Sequence, residues 1–380
     1  MTLLRSGWAT TNREELYFIL REYLGGPGQY DGKSTSPNVF YLPLAGTEAA
    51  VCLTFREREI VRIDPGPAFD PAVWSQVVDE IERPVAIGFG REYAFCSRRV
   101  RGSWHGARSQ VVILPPPDDA PTPAYEMAQH PFILEFPVNT GRRWPITNFR
   151  RIRAHRLLSS VLNLLLRGRV TILPKQSRHF WGIDPSRPLP QRSEWLQEFY
   201  TGRLGKAVLP QGAPPSEPPL REVKAGVYYR DFGDDGSGLG VPDDLDDLLC
   251  RYQALSPEHA AKLERAAFWI RTAAEQWTIS ASSTFASLAI AVEALGKPPG
   301  GAAARFRAFL EKYAPSASLK KQRHEMYRLR SEILHGSQLL DLDRDALLGW
   351  APPELADGEL LEKLGGLVGI AVRNWLRKPT

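Results

Sequence analysis

Cysteine is scarce in this chain of 380 residues: Cys52, Cys96 and Cys250 are its three, and no two lie close enough in sequence to imply a disulfide scaffold or a zinc knuckle. That scarcity fits a reducing cytoplasm. Long apolar runs are missing as well: no stretch of 18 or more apolar residues occurs, and residues 1–8 carry no long apolar segment behind their charge, so a soluble cytoplasmic protein with no membrane partner is expected. His105, His130, His155, His179, His259 and His324 share no metal-ligand spacing such as His-x3-His and read as structural or surface residues; His324 stands apart in preceding a motif on its own helix. The acidic stretch 231–247 fails as a calcium loop, with Gly233 where an oxygen ligand belongs and Pro242 where the closing glutamate belongs. Gly88-Phe-Gly90 lacks the third glycine of a dinucleotide loop, and no phosphate-binding lysine loop, nucleophile elbow or Cys-His pattern is present. These absences predict no metal and no cofactor.

The hydrophobic content of 43% is enough for a large core, and the length predicts two or three domains. The net charge of +5 is unevenly placed: residues 241–380 hold 18 basic and 18 acidic side chains, so all of the excess lies upstream. Residues 136–183 concentrate it, with ten Lys or Arg and no acidic residue. Trp144, Phe149, Phe180 and Trp181 are interleaved there. A helix predicted over 148–167 has its arginines crowded into the first two turns, where the helix dipole disfavours them and a bound anion would relieve the cost. Arg142, Arg143, Arg150, Arg151, Arg153 and Trp144 are therefore candidate RNA-binding residues, gripping a backbone and stacking a base. The plainer alternative is a basic surface paired with acidic neighbours in the fold.

The fold class predicted is α+β: an N-terminal mixed α/β region over 1–235, a flexible acidic linker over 236–243 and an all-α module over 244–380. In the first region a capping box at 11–14 opens a helix, strands fall at 39–44, 49–55 and 59–64, and Asp70 with Pro71 starts a second helix. Further strands are predicted at 85–89, 93–100, 111–114, 132–136 and 170–173, then a short helix at 193–200 and a β-like segment at 227–231. The all-α module is predicted to contain helices near 243–255, 256–277, 283–295, 302–313, 319–335 and 360–376, and its local contacts are expected to let it fold on its own.

Within that module Met326, Leu329 and Ile333 form one apolar stripe, while Tyr327, Arg330 and Leu334 repeat the spacing beside it. Gly336 follows where a C′ glycine releases a helix, which puts His335 in the last turn. Five residues separate Arg330 and His335 by roughly 140° and about 7.5 Å along the axis, so two copies of the helix meeting about a two-fold axis are the easiest way to bring both onto one phosphate.

The pattern Tyr327-x-x-Arg330-Ser331-x-x-x-His335-Gly336, with Glu293 on the helix near 285–295, resembles the motif of HEPN domains, specifically the ApeA-like branch, over about the last third of the chain. The resemblance implies a dimerising helical bundle of endoribonuclease type, with catalytic roles for Arg330 and His335 and supporting roles for Glu293, Ser331 and Tyr327. Many catalytic members carry Asn, Asp or His after the arginine; this chain has Ser331. It also implies RNA as substrate, transfer RNA among the options, a homodimer, and a part in bacterial anti-phage defence. A separate reading is that the N-terminal region, of sensing or RNA-holding type, binds a phage-derived trigger or a nucleotide and holds the nuclease inactive until then. The chemistry fits those residue types: a histidine, whose ordinary pKa is about 6.5, can move protons at neutral pH, and an arginine can hold a phosphate with a permanent charge. The alternatives are a non-catalytic HEPN module that binds RNA or a partner protein, and an ion pair from Arg330 to Glu293 or Glu325 with His335 as a helix cap.

Overall fold

The computed structural model describes residues 13–24, 33–36, 39–43, 50–56, 59–65, 70–83, 85–118, 120, 130–171, 178–183, 192–197, 207–216, 218–231, 238–277, 279–296, 301–315, 319–344 and 356–379. It contains helices and an antiparallel sheet, so the class is α+β. The chain forms two compact units: Met1–Arg91 with Phe136–His155 and Lys206–Gly212, and Glu92–Glu135 with Arg156–Gly205 and Ala213–Thr380. This division does not follow the boundary expected near residue 240, because the second unit joins the C-terminal helices to β-strands from upstream.

The first unit holds α1 (Arg13–Leu24), β1 (Lys33–Ser36), β2 (Val39–Pro43), β3 (Ala50–Arg56), β4 (Glu59–Pro65) and α2 (Pro71–Glu82). The four strands form an antiparallel meander in sequence order, as the three runs predicted there require. The expected N-terminal capping box begins outside the described residues. Asp70 caps α2 by accepting from the Ala72 N–H at 2.8 Å, with Pro71 in the first turn. Leu16, Ile19 and Leu20 of α1 pack with Val77 of α2 and with Ile146.

β5 (Ala86–Cys96) is one long strand where two were predicted; Gly88 and Gly90 sit within it without ending it. β6 (Trp104–His105), β7 (Val112–Leu114) and β8 (His130–Thr140) follow, then α3 (Trp144–Leu165) and β9 (Val170–Thr171). With β10 (Arg178–Ile183), β11 (Arg192–Gln197) and β12 (Val208–Leu209), the strands fall into a six-stranded sheet ordered β12-β5-β8-β7-β6, where β9 also pairs β5, and a β10-β11 ribbon. The short helix expected at 193–200 is thus strand β11. Its six antiparallel partners in β10 satisfy a backbone that local propensity alone would not have assigned.

In the second unit β13 (Glu222–Val223), α4 (Ala225–Asp231), β14 (Val241–Pro242) and α5 (Leu245–Gln253) lead into α6 (Pro257–Gln276), α7 (Ala281–Leu295), α8 (Ala302–Tyr313), α9 (Lys320–Leu334), α10 (Asp341–Arg344) and α11 (Ala356–Arg377). The β-like segment expected at 227–231 is helix α4, capped from outside its own sequence. Asp243 accepts from the Ala225 N–H at 2.8 Å, and Arg167 donates to the carbonyls of Tyr228 and Tyr229. The described end of the expected flexible linker is built into the unit. Leu239 and Val241 are buried, β14 pairs parallel with β13, and the Leu239 N–H donates to the Arg99 carbonyl at 2.8 Å. The acidic residues beside it are held too: Asp246 accepts from the Ser109 hydroxyl and N–H and from the Arg108 N–H. Gly106 allows this latch, since a Cβ there would stand 2.6 Å from the Asp246 carboxylate.

Helix α7 is buried along most of its length, with Phe285, Ala289 and Val292 fully enclosed, and it packs against α6, α8, α9, α10 and α11. Among the described residues no helix is long and apolar enough to cross a membrane.

Candidate active site

Of the apolar stripe expected from the sequence, helix α9 buries Met326 and Leu329 and half-buries Ile333; Tyr327, Arg330 and Ser331 are half-buried beside it, and Leu334 is exposed. Its end is the expected glycine stop in full. Gly336 has φ +70°, its N–H donates to the Ile333 carbonyl at 3.0 Å, and the Ser337 N–H donates to the Glu332 carbonyl at 2.9 Å, the paired bonds of a Schellman motif. His335 is the residue before that turn, still in right-handed helical conformation and exposed.

The Arg330 guanidinium donates through one NH2 group to the Glu293 carboxylate of α7, with both side chains about one-fifth exposed. Its Cζ lies 5.6 Å from the centre of the Tyr327 ring, and Tyr327 in turn lies 5.7 Å from the Phe306 ring of α8. Three helices therefore frame the arginine. Arg330 Nε and Glu293 Oε1 are buried and make no hydrogen bond among the described residues.

The register between α7 and α9 is fixed from beyond the motif. The Leu340 N–H donates to the Ser282 hydroxyl at 2.8 Å, and the Asp343 carboxylate accepts from the N–H groups of Ala281 and Ser282, each at 2.8 Å, and from the Ser280 hydroxyl. Burial by itself would raise the Asp343 carboxyl. The hydrogen bonds from Ser282, Ala281 and Ser280 outweigh it and hold the group below the usual carboxylate range. Sequence reading passed over Asp343, because a cap donated from sixty residues away leaves no local pattern.

No family model, curated protein or solved structure matches this chain. The structure thus brings together Arg330, Glu293 and Tyr327 of the five catalytic candidates. Ser331 and His335 lie around the helix from the ion pair, and among the described residues the His335 side chain makes no hydrogen bond. No group of three His, Cys, Asp or Glu among the described residues is placed to hold a metal ion.

The six basic-run candidates lie in the first unit, and most are engaged there. Arg150 donates to Glu15 at 2.6 Å and to Glu80 Oε1 at 3.0 Å, and its side chain is only 9% exposed. Arg142 donates to the carbonyls of Asp79 and Arg83, while Arg143 donates to the Glu22 carbonyl and covers the Tyr23 ring at 3.9 Å. Arg151 is buried and donates to Asn148 at 2.7 Å. The anion that the crowded helix start calls for is supplied by Glu15 and Glu80, carboxylates from α1 and α2. Arg153 is half-buried, and Trp144 is exposed. Phe180 and Trp181 lie on β10, whose side chains fall outside the described residues.

Of the other histidines, His155 is buried with its ring stacked 6.1 Å from Phe136, and His259 stands edge-on to Trp375. His105 and His130 are lowered, chiefly by burial. His324 is different: it receives the Arg307 guanidinium of α8 on Nδ1 at 2.7 Å.

Proposed function

We propose that the chain is a metal-independent endoribonuclease of HEPN type, dimeric through its C-terminal helices. The observation that carries this reading is the partly exposed Arg330–Glu293 pair, framed by α7, α8 and α9, on the helix whose glycine-stopped end presents His335. RNA brings its own nucleophile, the 2′-OH. Its proton must be removed, the negative charge on the phosphorane must be stabilised, and the departing 5′-oxygen must be protonated. The His335 side chain, exposed and without a hydrogen bond among the described residues, suits the proton transfers. Arg330 suits the phosphate: its permanent charge is steered by Glu293, and its guanidinium is partly exposed. Tyr327 and Ser331 add hydrogen-bonding hydroxyls at the edge. Such cleavage leaves a 2′,3′-cyclic phosphate and spares DNA, which has no 2′-OH.

The angular separation of Arg330 and His335 supports a composite cleft in which two copies of α9 each lend one group. Action on transfer RNA in anti-phage defence follows from the motif resemblance, and a phage-derived trigger would act through the N-terminal region. In the basic run, the exposed Trp144 fits RNA contact best, since Arg150 is enclosed.

A second reading has a specific observation behind it. Arg330 satisfied by Glu293, with His335 as helix cap, is also what a non-catalytic RNA- or protein-binding HEPN module requires. The two separate on incubation of the purified chain with total transfer RNA in EDTA beside Arg330→Ala and His335→Ala. Cleavage to cyclic-phosphate ends, lost in both variants, is the expected result. RNA binding without cleavage, unaffected by His335→Ala and unchanged by phage lysate, would establish the binding module instead.

A further inference from the structure

Resting on the ribonuclease reading, we infer that Arg307 and His324 form a phosphate subsite that holds the RNA strand a few nucleotides from the scissile bond. Several cations on these helices are matched to carboxylates. Arg328 makes two bonds to Glu332 at 2.7 and 2.8 Å, Arg251 meets Asp247, and Lys363 meets Glu359. Arg307 is instead held against a histidine of the neighbouring helix, and among the described residues it has no carboxylate partner. Its Nε donates to the Ala303 carbonyl at 3.2 Å, and its NH1 donates to His324 Nδ1 at 2.7 Å.

An arginine only donates, so the imidazole nitrogen it faces must accept, which places the His324 proton on Nε2. What remains is a permanent cation whose second NH2 group has no partner among the described residues, beside an imidazole N–H that also has none among them. Two such donors side by side make an anion cradle, and the planar fork of Arg307 suits phosphate oxygens.

Helical geometry connects this cradle to the reaction centre. At about 100° per residue, Ser331 and His335 fall within roughly 20° of His324 on the circumference of α9, and Tyr327 within about 60°. None of the four is buried. They form one polar stripe roughly 16 Å long, from the Arg307–His324 pair to His335. A single strand laid along it, with its reacting phosphate at the His335 end, places an upstream or downstream phosphate at the cradle.

The test uses the full chain carrying His335→Ala, so that RNA is bound without being cut, and a fluorescent single-stranded RNA of mixed sequence titrated at several salt concentrations. In this background Arg307→Gln is expected to weaken binding several-fold at low salt and to reduce the slope of log affinity against log salt by about 0.7, one phosphate contact on a single strand. Arg307→Lys keeps most of the slope. Lys363→Gln, the same charge change on α11, leaves it unaltered. A purely structural link between α8 and α9 would change the melting temperature and not the slope. Parent binding that persists with an identical slope in Arg307→Gln overturns the inference alone, as does an equal loss in Lys363→Gln. A parent that binds no RNA at low salt overturns the ribonuclease reading and this inference with it.

Discussion

Arg150→Met is the sharpest test of how the first unit is held together. Glu80 is fully buried on α2, and its carboxylate accepts from Arg150 at 3.0 Å, from the Arg142 N–H at 2.8 Å and from the Tyr23 hydroxyl at 3.1 Å. Methionine keeps the apolar stem and removes the charge together with the bond to Glu15 at 2.6 Å. Breaking a buried pair from one side leaves an uncompensated carboxylate, at a cost of about 3–5 kcal/mol. That is comparable with the whole stability of a marginal domain, roughly 5 kcal/mol at the lower end. Adding Glu80→Gln keeps an acceptor for Tyr23 and Arg142 while removing the stranded charge, so the double variant should recover a large part of the loss. Native-state hydrogen exchange of the α2 amides reads the unit without assuming that the whole chain unfolds in one step. Tyr23 gives an independent signal: its phenol is raised by burial and then by the Glu80 charge and hydrogen bond, so Glu80→Gln should bring its titration down. An Arg150→Met loss under about 1 kcal/mol, the range of exposed pairs, would refute the claim that this pair organises the unit.

Three further outcomes concern the second unit. Arg330→Ala should destabilise the helices by about 1.5–3 kcal/mol through loss of a charge-assisted bond to Glu293, whereas His335→Ala, at an exposed site, should change stability by less than about 0.5 kcal/mol; urea denaturation distinguishes them. Gly336→Ala, at φ +70°, should cost about 1–2 kcal/mol and fray the end of α9, seen as lost exchange protection at Ile333 and Leu334. Because the Asp343 carboxyl sits below its unfolded value, its stabilisation is complete above that unfolded value and is lost as the pH falls through the folded one. Wild type should therefore lose stability on acidification relative to Asp343→Asn, and the α7 N-terminal amides should report it.

What the sequence disclosed was mostly local. The Asp70–Pro71 helix start, the three strands of the first meander, the Ser256–Pro257 start of α6 and the Gly336 stop all carry their reasons within a few residues, and they stand where expected. What it hid was set by distant partners. Residues 192–197 are a strand because β10 lies beside them, and α4 is a helix because Asp243 and Arg167 cap it. The same limit applies to the site. Arg330 and Glu293 were legible from the motif, while Arg307 carries no signal until α8 is laid against α9. The arginine run showed where anions were needed but could not show that Glu15 and Glu80 already supply them.

Arg373 of α11 is buried, with its guanidinium 3.5 Å from the ring of Tyr229 on α4, and burial pulls its pKa down to about 10. The charge is sheltered by a residue that precedes the helical segment by more than a dozen positions, and Arg377 of the same helix is tied to Asp244. The C-terminal helices are therefore poor cargo for transplantation. A fusion that moved residues 244–380 onto another protein would carry Arg373 without its cover and Asp246 without the Ser109 turn. Any exchange of this module, by an engineer or by recombination, has to take α4 and the β6–β7 turn along.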